Sequence, residues 1–200
     1  LNVALEGMEE AAGGRPVSRR GGEFCVVAGT PVLIRYADDF VALCHSKEEA
    51  FRVKEDLMRW LAPRGIRFNE AKTKVVHLGE GFDFLGFSVK KHGDKLVIRP
   101  SREACNKLRK RLRTEMRALR GAPAKAVIAK FNPIVRGWTA YYRGVASHRV
   151  FCSMDFYMFT LLYKWAKRGH ENRSGLWIKR HYFGRFNKAR RENWVFGHHP

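Results

Sequence analysis

Asp38 and Asp39, in the stretch Tyr36-Ala-Asp-Asp39, are the adjacent carboxylates of this sequence best suited to holding a cation. They lie between two apolar runs, 32–36 and 40–43, which predict a β-hairpin of buried strands with a polar tip. Adjacent carboxylates repel each other, and Mg²⁺ suits such oxygen ligands because it completes its shell with water and substrate phosphates. Two such ions could stabilise the attacking and leaving oxygens of a phosphoryl transfer. The alternative is a surface turn, since Asp is a common turn residue.

The positive charge of the chain is concentrated in its second half. The 200 residues carry 39 Lys and Arg against 19 Asp and Glu, a formal net charge of +20. Residues 1–100 contribute +2 and residues 101–200 contribute +18. Such asymmetry indicates a protein that binds a polyanion. An anionic membrane is the competing partner, but the basic and aromatic residues are interleaved with predicted core positions, which favours nucleic acid.

The cysteines predict neither a zinc site nor a disulfide. Cys25, Cys44, Cys105 and Cys152 lie far apart, without a Cys-x-x-Cys pair. We interpret each as a small buried residue in a reducing compartment, and we expect a cytoplasmic location, in a bacterium or an organelle. No apolar run approaches the length of a membrane-spanning helix. The chain begins at Leu1 as though inside a helix, without a signal peptide, which suggests a fragment of a longer protein.

The sequence of residues 1–99 predicts an α+β domain, which is the first part of the chain. The end of a helix over 1–12 precedes a flexible basic loop over 13–22, and a strand is expected over 24–28. A capping box, Ser46-Lys-Glu-Glu49, opens a helix that Pro63 and Gly65 end. The apolar face of this helix comprises Ala50, Phe51, Val53, Leu57, Met58 and Leu61. Further short strands are predicted over 66–68 and 74–78. The stretch from Phe82 leads through His92-Gly-Asp94 into 95–99 and predicts another hairpin, all in antiparallel style.

Residues 100–200 predict a basic helical bundle. Ser101 caps a first helix, whose apolar stripe is Cys105, Leu108, Leu112, Met116 and Leu119. Gly121-Ala-Pro123 ends it and begins a second helix. Asn132-Pro133, an N-cap followed by proline at the first helical position, predicts the start of a third. Ser153 opens a fourth, aromatic-rich helix, and Ser174 opens a short fifth that ends near Tyr182.

Four stretches in order resemble one protein family. Tyr36-Ala-Asp-Asp39 resembles the metal-binding box of reverse transcriptases. Glu70-Ala-Lys-Thr-Lys74 followed by Phe82-Asp-Phe-Leu-Gly-Phe87 is similar to the later palm motifs of the group II intron-encoded reverse transcriptases. Phe131-Asn-Pro-Ile-Val-Arg-Gly-Trp-Thr-Ala-Tyr-Tyr-Arg143 resembles the signature of their maturase-specific region, also called domain X or the thumb. Segments 165–168, 177, 180–183 and 194–197 resemble the tail of that region. The resemblance covers nearly the whole chain and implies a partial palm followed by a helical thumb.

The resemblance implies an RNA-directed DNA polymerase and maturase that uses Mg²⁺, with structured intron RNA, an RNA template, a DNA primer and dNTPs as partners. Asp38 and Asp39 correspond to metal-binding carboxylates, and Tyr36 would support the primer end or the base of the hairpin. Lys72 occupies the family's downstream lysine position, where its ammonium could meet the leaving pyrophosphate. A solvated loop lysine is an equally good interpretation. Gly86 lies in the primer-grip hairpin and would permit close backbone approach.

The basic residues of the second half are the predicted phosphate contacts, because Arg gives bidentate hydrogen bonds to phosphate. They are Lys107, Arg109, Lys110, Arg111, Arg113, Arg136, Arg143, Arg168 and Arg180. For Trp138, Tyr141 and Trp165, which recur at helical spacing, core packing is the favoured role and stacking on RNA bases the alternative. Core packing is also favoured for Phe82, Phe84 and Phe87.

The sequence departs from the family in ways that bear on activity. The family's first metal-binding Asp, its fingers with the Pro-Gln-Gly motif and its His-Asn-His endonuclease are not in these residues. We therefore expect weak Mg²⁺ binding and poor polymerisation from the chain alone, with the missing palm and fingers required for catalysis. One alternative function is a non-enzymatic RNA-binding splicing factor, against which the intact Asp pair argues. Another is an unrelated basic RNA-binding protein, which leaves the Asp-Asp hairpin unexplained.

Overall fold

The structure, a computed structural model, describes residues 5–14, 16–18, 24–184, 186 and 195–197. The chain divides into two compact units, Leu1–Gly81 and Phe82–Pro200, and each has its own hydrophobic core. Both combine helices with small antiparallel sheets, so the predicted α+β class is confirmed. The compact units are divided after Gly81, whereas the predicted domain boundary between residues 99 and 100 stays a prediction.

In its described residues, the first unit contains two α-helices and two separate pairs of antiparallel strands. In chain order its elements are α1 (Met8–Ala11), β1 (Pro16–Ser18), β2 (Phe24–Val26), β3 (Val32–Tyr36), β4 (Asp39–Leu43) and α2 (Lys47–Leu61). β1 pairs with β2 and β3 pairs with β4, both antiparallel. The hairpin of β3 and β4 confirms the prediction. The prediction of a flexible loop over 13–22 was wrong in part. Residues 16–18 form β1 because β2 provides a partner strand for them.

Helix α2 begins and ends as its sequence predicts. The Ser46 hydroxyl accepts a hydrogen bond from the Glu49 backbone N–H at 3.1 Å, and the His45 backbone N–H donates to the Glu49 carboxylate at 2.7 Å. This second bond holds the pKa of the Glu49 carboxyl below its usual value. A 3₁₀ turn over Ala62–Arg64 follows, and Gly65 closes it with a φ of 69°.

The apolar face of α2 is narrower than predicted. Val53, Leu57 and Leu61 are buried in the core of the first unit. Phe51 and Met58 are instead 47% and 44% exposed, so their predicted place on the apolar face was wrong. The reason is that α1 and β4 pack along one stripe of the helix and leave its flanks in solvent.

The strands predicted over 66–68 and 74–78 are absent, since both segments are irregular in the structure. A strand requires the backbone groups of a neighbour, and no segment in the described part of the chain pairs with either one. Ile66 and Phe68 nevertheless pack against the core, and the Phe68 ring lies 5.5 Å from that of Phe40. Their apolar character therefore serves the core without a sheet.

The second unit joins a three-stranded sheet to a helical bundle. Its elements are β5 (Phe82–Phe84), β6 (Phe87–His92), β7 (Lys95–Pro100), α3 (Arg102–Ala118), α4 (Ala124–Tyr142), α5 (His148–Gly169), α6 (Gly175–Tyr182), β8 (Phe183–Gly184) and β9 (Val195–Phe196). The sheet order is β5-β6-β7, and β8 pairs with β9. The predicted stripe of α3 is confirmed, because Cys105, Leu108, Leu112 and Met116 are buried.

Helix α4 runs through the predicted start of a new helix, so the prediction from Asn132-Pro133 was wrong. Pro133 lies inside the helix, on its exposed side. Proline there cannot donate to the carbonyl of Ala129, which costs about 3 kcal/mol in a helix interior. Phe131 and Ile134, on the opposite side, are buried in the core of the unit. This burial holds the helix together across the proline.

Helix α5 also begins earlier than predicted, at His148, following the buried Ser147. Ser153 therefore opens no helix. Its hydroxyl instead accepts a hydrogen bond from the Arg109 guanidinium at 3.2 Å. The start of α6 is confirmed, because the Ser174 hydroxyl accepts from the Trp177 backbone N–H at 3.2 Å.

Two tyrosines of α4 anchor the turn between β5 and β6. Leu85 and Gly86 form this two-residue turn with φ values of 49° and 80°, as a type I′ turn requires. The Tyr141 hydroxyl donates to the Leu85 carbonyl at 3.0 Å, and the Tyr142 hydroxyl donates to the Gly86 carbonyl at 3.2 Å. The Ser101 N–H donates to the same Gly86 carbonyl at 2.8 Å. Burial raises the pKa of the Tyr142 phenol, which keeps it a donor.

Replacing Gly86 with Ala should destabilise the protein by more than the backbone angle alone explains. A Cβ at this position would lie 2.5 Å from the Tyr142 hydroxyl oxygen, at a φ of 80°. We expect a loss of about 2–3 kcal/mol, from the left-handed conformation and the displaced hydrogen bond. Urea unfolding of the variant measures the loss.

Gly93→Ala is the matched control, because Gly93 has a φ of 56° and nothing within 4 Å of the added Cβ. This variant should lose only about 1 kcal/mol. Equal losses in the two variants would show that the Tyr142 contact contributes nothing.

Candidate functional site

The two carboxylates lie at the tip of the hairpin formed by β3 and β4. Tyr36 pairs with Asp39 in the strand register, so Ala37 and Asp38 are the two central residues of the turn. Both Asp38 and Asp39 are exposed to solvent. Within the residues that the structure describes, neither carboxylate takes part in an ion pair or a side-chain hydrogen bond, so both are available to a ligand.

The turn beneath the carboxylates is strained. Ala37 has a φ of 56°, in the left-handed region that costs a residue with a Cβ about 1–2 kcal/mol. A positive φ at the first central position is typical of type II′ turns, which favour glycine there. Strain of this kind persists at functional positions because the surrounding structure compensates for it. The strained residue directly precedes the two exposed carboxylates.

Replacing Ala37 with Gly should therefore stabilise the protein, by about 0.5–1 kcal/mol, after the greater entropy of glycine in the unfolded chain is subtracted. Ala42→Gly in β4 is the control, because Ala42 has no positive φ and should lose stability. Thermal unfolding of the two variants makes the comparison. Loss of stability at Ala37 as large as at Ala42 would contradict the assignment of strain.

The two faces of the hairpin have different surroundings. Leu33, Phe40 and Ala42 pack against the core of the first unit. Tyr36 and Asp39 lie directly opposite each other on the other face, together with Ile34. Tyr36 is 67% exposed and Ile34 is 47% exposed. The predicted burial of the strands was therefore correct for one face only, because a two-stranded sheet with alternating side chains is covered on one side.

The carboxylate pair fits part of a magnesium site. Hard carboxylate oxygens suit Mg²⁺, which takes one or two protein carboxylates and retains waters for exchange with phosphate. In the described ranges there is no group of three or more His, Cys, Asp or Glu residues that could hold a metal ion. Asp38 and Asp39 therefore offer two ligands of the right chemistry, without a third beside them in these ranges.

Lys72 lies in a turn closed by Asn69. The Asn69 carbonyl accepts hydrogen bonds from the backbone N–H groups of Lys72 and Thr73, both at 2.9 Å. The Lys72 side chain is exposed, and no hydrogen bond or ion pair in the described part of the chain joins it to Asp38 or Asp39. A role for Lys72 in catalysis stays a prediction.

The predicted phosphate contacts are spread over the helices of the second unit. Most are exposed, but Arg109 is half-buried and the Lys107 ammonium pairs with the Glu103 carboxylate at 2.8 Å. Arg136 lies in α4 and Arg143 directly follows its last residue. Both are exposed, and their spacing of seven residues places them on one side of the helix. Arg168 and Arg180 belong to α5 and α6 and are also exposed.

The aromatic side chains mostly follow the prediction of core packing. The Trp138 ring lies 4.7 Å from that of Tyr142, and the Trp165 indole N–H donates to the Leu119 carbonyl at 2.8 Å. Both are partly buried against the core, which confirms the favoured role. The prediction for Tyr141 was wrong, because this residue is 54% exposed. Its ring lies 5.0 Å from that of Phe87, at the turn that its hydroxyl anchors.

Gly86 was predicted to allow close approach of nucleic acid. The group that approaches its backbone in the structure is the Tyr142 hydroxyl, which occupies the space of an absent Cβ. Contact of nucleic acid with Gly86 or Tyr36 stays a prediction.

A cleft in the second unit contains cationic residues that the sequence did not single out. It has a volume of about 330 Å³, and its lining includes Arg99, Arg102, Arg109 and Arg149. Only Arg109 is among the predicted phosphate contacts. The spacing of Arg102 and Arg109, two helical turns apart, is a signal that sequence analysis could have used. Arg99 and Arg149 belong to other elements, and no spacing in the sequence connects them with α3.

Comparisons with known protein families match both halves of the chain. Residues 16–89 match the reverse transcriptase (RNA-dependent DNA polymerase) family, and residues 105–183 match the group II intron, maturase-specific domain. The first match contains the hairpin with Asp38 and Asp39, and the second contains α4, α5 and α6. None of the curated proteins matches the chain. Within its described residues, the structure has no helix long and apolar enough to cross a membrane.

Proposed function

We propose that this chain is part of an RNA-directed DNA polymerase and maturase, like the group II intron-encoded reverse transcriptases to whose family it belongs. The first unit contributes Asp38 and Asp39 to the metal site of a polymerase palm. The second unit acts as a thumb that binds intron RNA. The observation that carries this proposal is the exposed carboxylate pair on a strained turn, inside the reverse transcriptase match and followed in the chain by the maturase-specific match.

The geometry of the hairpin suits nucleotide addition to a primer. Bound Mg²⁺ would activate the attacking 3′-hydroxyl and neutralise the charge of the triphosphate. The carboxylates of Asp38 and Asp39 would hold the ions at the tip. Tyr36 projects from the same exposed face as Asp39 and would support the primer end. Lys72 would bring an ammonium to the leaving pyrophosphate.

We assign full polymerase activity to a protein that adds the family's remaining palm carboxylate and its fingers to these residues. Two adjacent carboxylates bind Mg²⁺ weakly without further oxygen ligands, since the ion gives up its waters reluctantly. The chain by itself should therefore extend primers poorly. Its substrates within the larger protein would be an RNA template, a DNA primer and dNTPs.

RNA binding follows from the charge and the exposed cations of the second unit. Residues 101–200 carry a net charge of +18, and exposed arginines lie on four of its helices. Each phosphate that such a side chain neutralises releases condensed counterions, which favours binding at low salt. Structured intron RNA is the proposed partner.

The described cysteines are consistent with a reducing compartment, which we propose for the protein. Cys44, Cys105 and Cys152 are free thiols, but only Cys105 is buried and Cys152 is exposed, so the prediction that each cysteine is a buried residue was wrong. Burial raises the pKa of both Cys44 and Cys105, which keeps these two groups protonated and unreactive.

Replacing Arg136 and Arg143 together with Ala should weaken binding of the 200-residue chain to structured RNA at least tenfold, with no change in melting temperature. Both side chains are exposed on one side of α4, and each charge-assisted hydrogen bond to phosphate contributes about 1.5–3 kcal/mol. A filter-binding titration measures the affinity.

Lys91→Ala with Lys95→Ala is the matched control, because it removes the same charge from exposed residues of the same unit outside the proposed contacts. This control should lose less than threefold in affinity. Equal losses in the two double variants would show that α4 does not present the binding face.

A further inference from the structure

We infer that the arginine-lined cleft of the second unit binds two successive phosphates of an RNA strand and recognises the ribose between them through Asp83. The inference rests on the proposed RNA binding and adds to it a defined site. The cleft lies where the sheet meets α3 and α5, and its volume is about 330 Å³. This volume is at the lower end for ligand pockets, so it suits a short piece of one strand rather than a duplex.

The sheet contributes one row of polar side chains to the cleft. Asp83 pairs with Ser88 in the strand register, and Ser88 pairs with Arg99. Residues directly opposite each other project from the same face, so the carboxylate, hydroxyl and guanidinium lie side by side across β5, β6 and β7. All three residues line the cleft.

The helices contribute the other three arginines of the cleft, two of them from first turns. Arg102 is the first residue of α3 and Arg149 is the second residue of α5. Arg109, two turns further along α3, donates to Ser153 at 3.2 Å and to Asn106 at 3.4 Å, which fixes its guanidinium at the cleft wall. The positive ends of both helix dipoles add to the field of these side chains.

Within the described residues, the positive charge of the cleft is not balanced by ion pairs. Its lining contains four arginines and one carboxylate, that of Asp83. Arg99, Arg102 and Arg149 have no ion pair in the described part of the chain. Elsewhere in the same unit cations are neutralised, since Lys107 pairs with Glu103 and Lys130 with Glu115 at 2.8 Å and 3.3 Å. Several unpaired guanidiniums around one small space favour a ligand with more than one phosphate.

Asp83 gives the cleft its selectivity for RNA. An ionised carboxylate only accepts hydrogen bonds, so it repels phosphate oxygens but accepts from a hydroxyl. The 2′-hydroxyl of ribose is such a donor, and DNA lacks it. A strand whose phosphates contact the arginines would therefore donate a hydrogen bond from its sugar to Asp83 only if it is RNA, because deoxyribose has no 2′-hydroxyl.

The test uses the 200-residue chain with a 12-nucleotide single-stranded RNA and the DNA of the same sequence. Arg102→Gln with Arg149→Gln should weaken RNA binding at least tenfold. The control, Arg117→Gln with Arg120→Gln, removes equal charge from exposed residues outside the cleft and should weaken it less than threefold. Asp83→Ala should reduce the preference for RNA over DNA at least fivefold, whatever its effect on overall affinity. Melting temperatures verify that each variant is folded.

Protection from phenylglyoxal, followed by mass spectrometry of the unaltered protein, gives a readout that does not depend on variants. Bound RNA should protect Arg102 and Arg149 more than Arg117. If pyrophosphate protects these arginines and RNA does not, the cleft binds free phosphates and the assignment to an RNA strand is overturned. Equal losses for cleft and control variants, or an unchanged RNA preference in Asp83→Ala, would overturn the inference while leaving RNA binding intact. A chain that binds no RNA would overturn the proposed function together with it.

Discussion

Replacing Asp38 and Asp39 with Asn should abolish Mg²⁺-dependent extension of a DNA primer on an RNA template. The assay requires residues 1–200 within a protein that also supplies the family's fingers and remaining palm carboxylate. Asn keeps the shape of each side chain but removes the negative charge that holds the cation, so we expect a fall of at least 10³-fold in the extension rate. RNA affinity should be unchanged or slightly higher, because the lost charges no longer repel phosphates.

The control for this variant is Asp94→Asn with Glu80→Gln, which removes the same charge from exposed residues that are not part of the hairpin of β3 and β4. It should retain activity. Primer extension by the double Asn variant would show that the hairpin is a surface turn and would end the polymerase proposal. Loss of extension together with loss of RNA binding, at an unchanged melting temperature, would contradict the separation of the two functions between the units.

The affinity of the chain for structured RNA should fall steeply with salt, by about 10³-fold or more between 50 and 200 mM, as is typical of proteins with roughly 6–10 phosphate contacts. The net charge of +18 in residues 101–200 is the reason for this expectation. Titrations at four salt concentrations give the slope of log affinity against log salt.

A peptide nucleic acid of the same base sequence, whose backbone is uncharged, is the matched ligand and should show almost no salt dependence. A flat dependence for the RNA itself would remove the argument that the second unit binds a polyanion.

The features that the sequence predicted correctly depend on residues close together in the chain. Ser46, Ser101 and Ser174 each accept a hydrogen bond from a backbone N–H three residues later, so the helix starts are visible locally. The hairpin of β3 and β4 closes through a two-residue turn, and its strands carry their own apolar pattern. The candidate metal ligands were found for the same reason, because Asp38 and Asp39 are neighbours.

The features that the sequence did not predict depend on partners that are distant in the chain. β1 is a strand because β2 lies beside it, whereas residues 74–78 have strand-forming side chains but no neighbour in the described chain. Pro133 is tolerated inside α4 because the core buries the opposite side of the helix. The arginines of the cleft come from β7, α3 and α5, so only Arg102 and Arg109 share a pattern along the chain.

The hydrogen bonds around Gly86 have a consequence for how the second unit opens and closes. The turn at Leu85 and Gly86 is held by the hydroxyls of Tyr141 and Tyr142, and the Ala146 N–H donates to the Ile98 carbonyl at 2.9 Å. These bonds join the sheet to the end of α4 across more than forty residues of chain. Because local unfolding of either element would remove the partners of the other, we expect the two to open together as one foldon. Amide protons of the sheet and of the last turn of α4 should therefore exchange with solvent at the same rate, which hydrogen exchange measures.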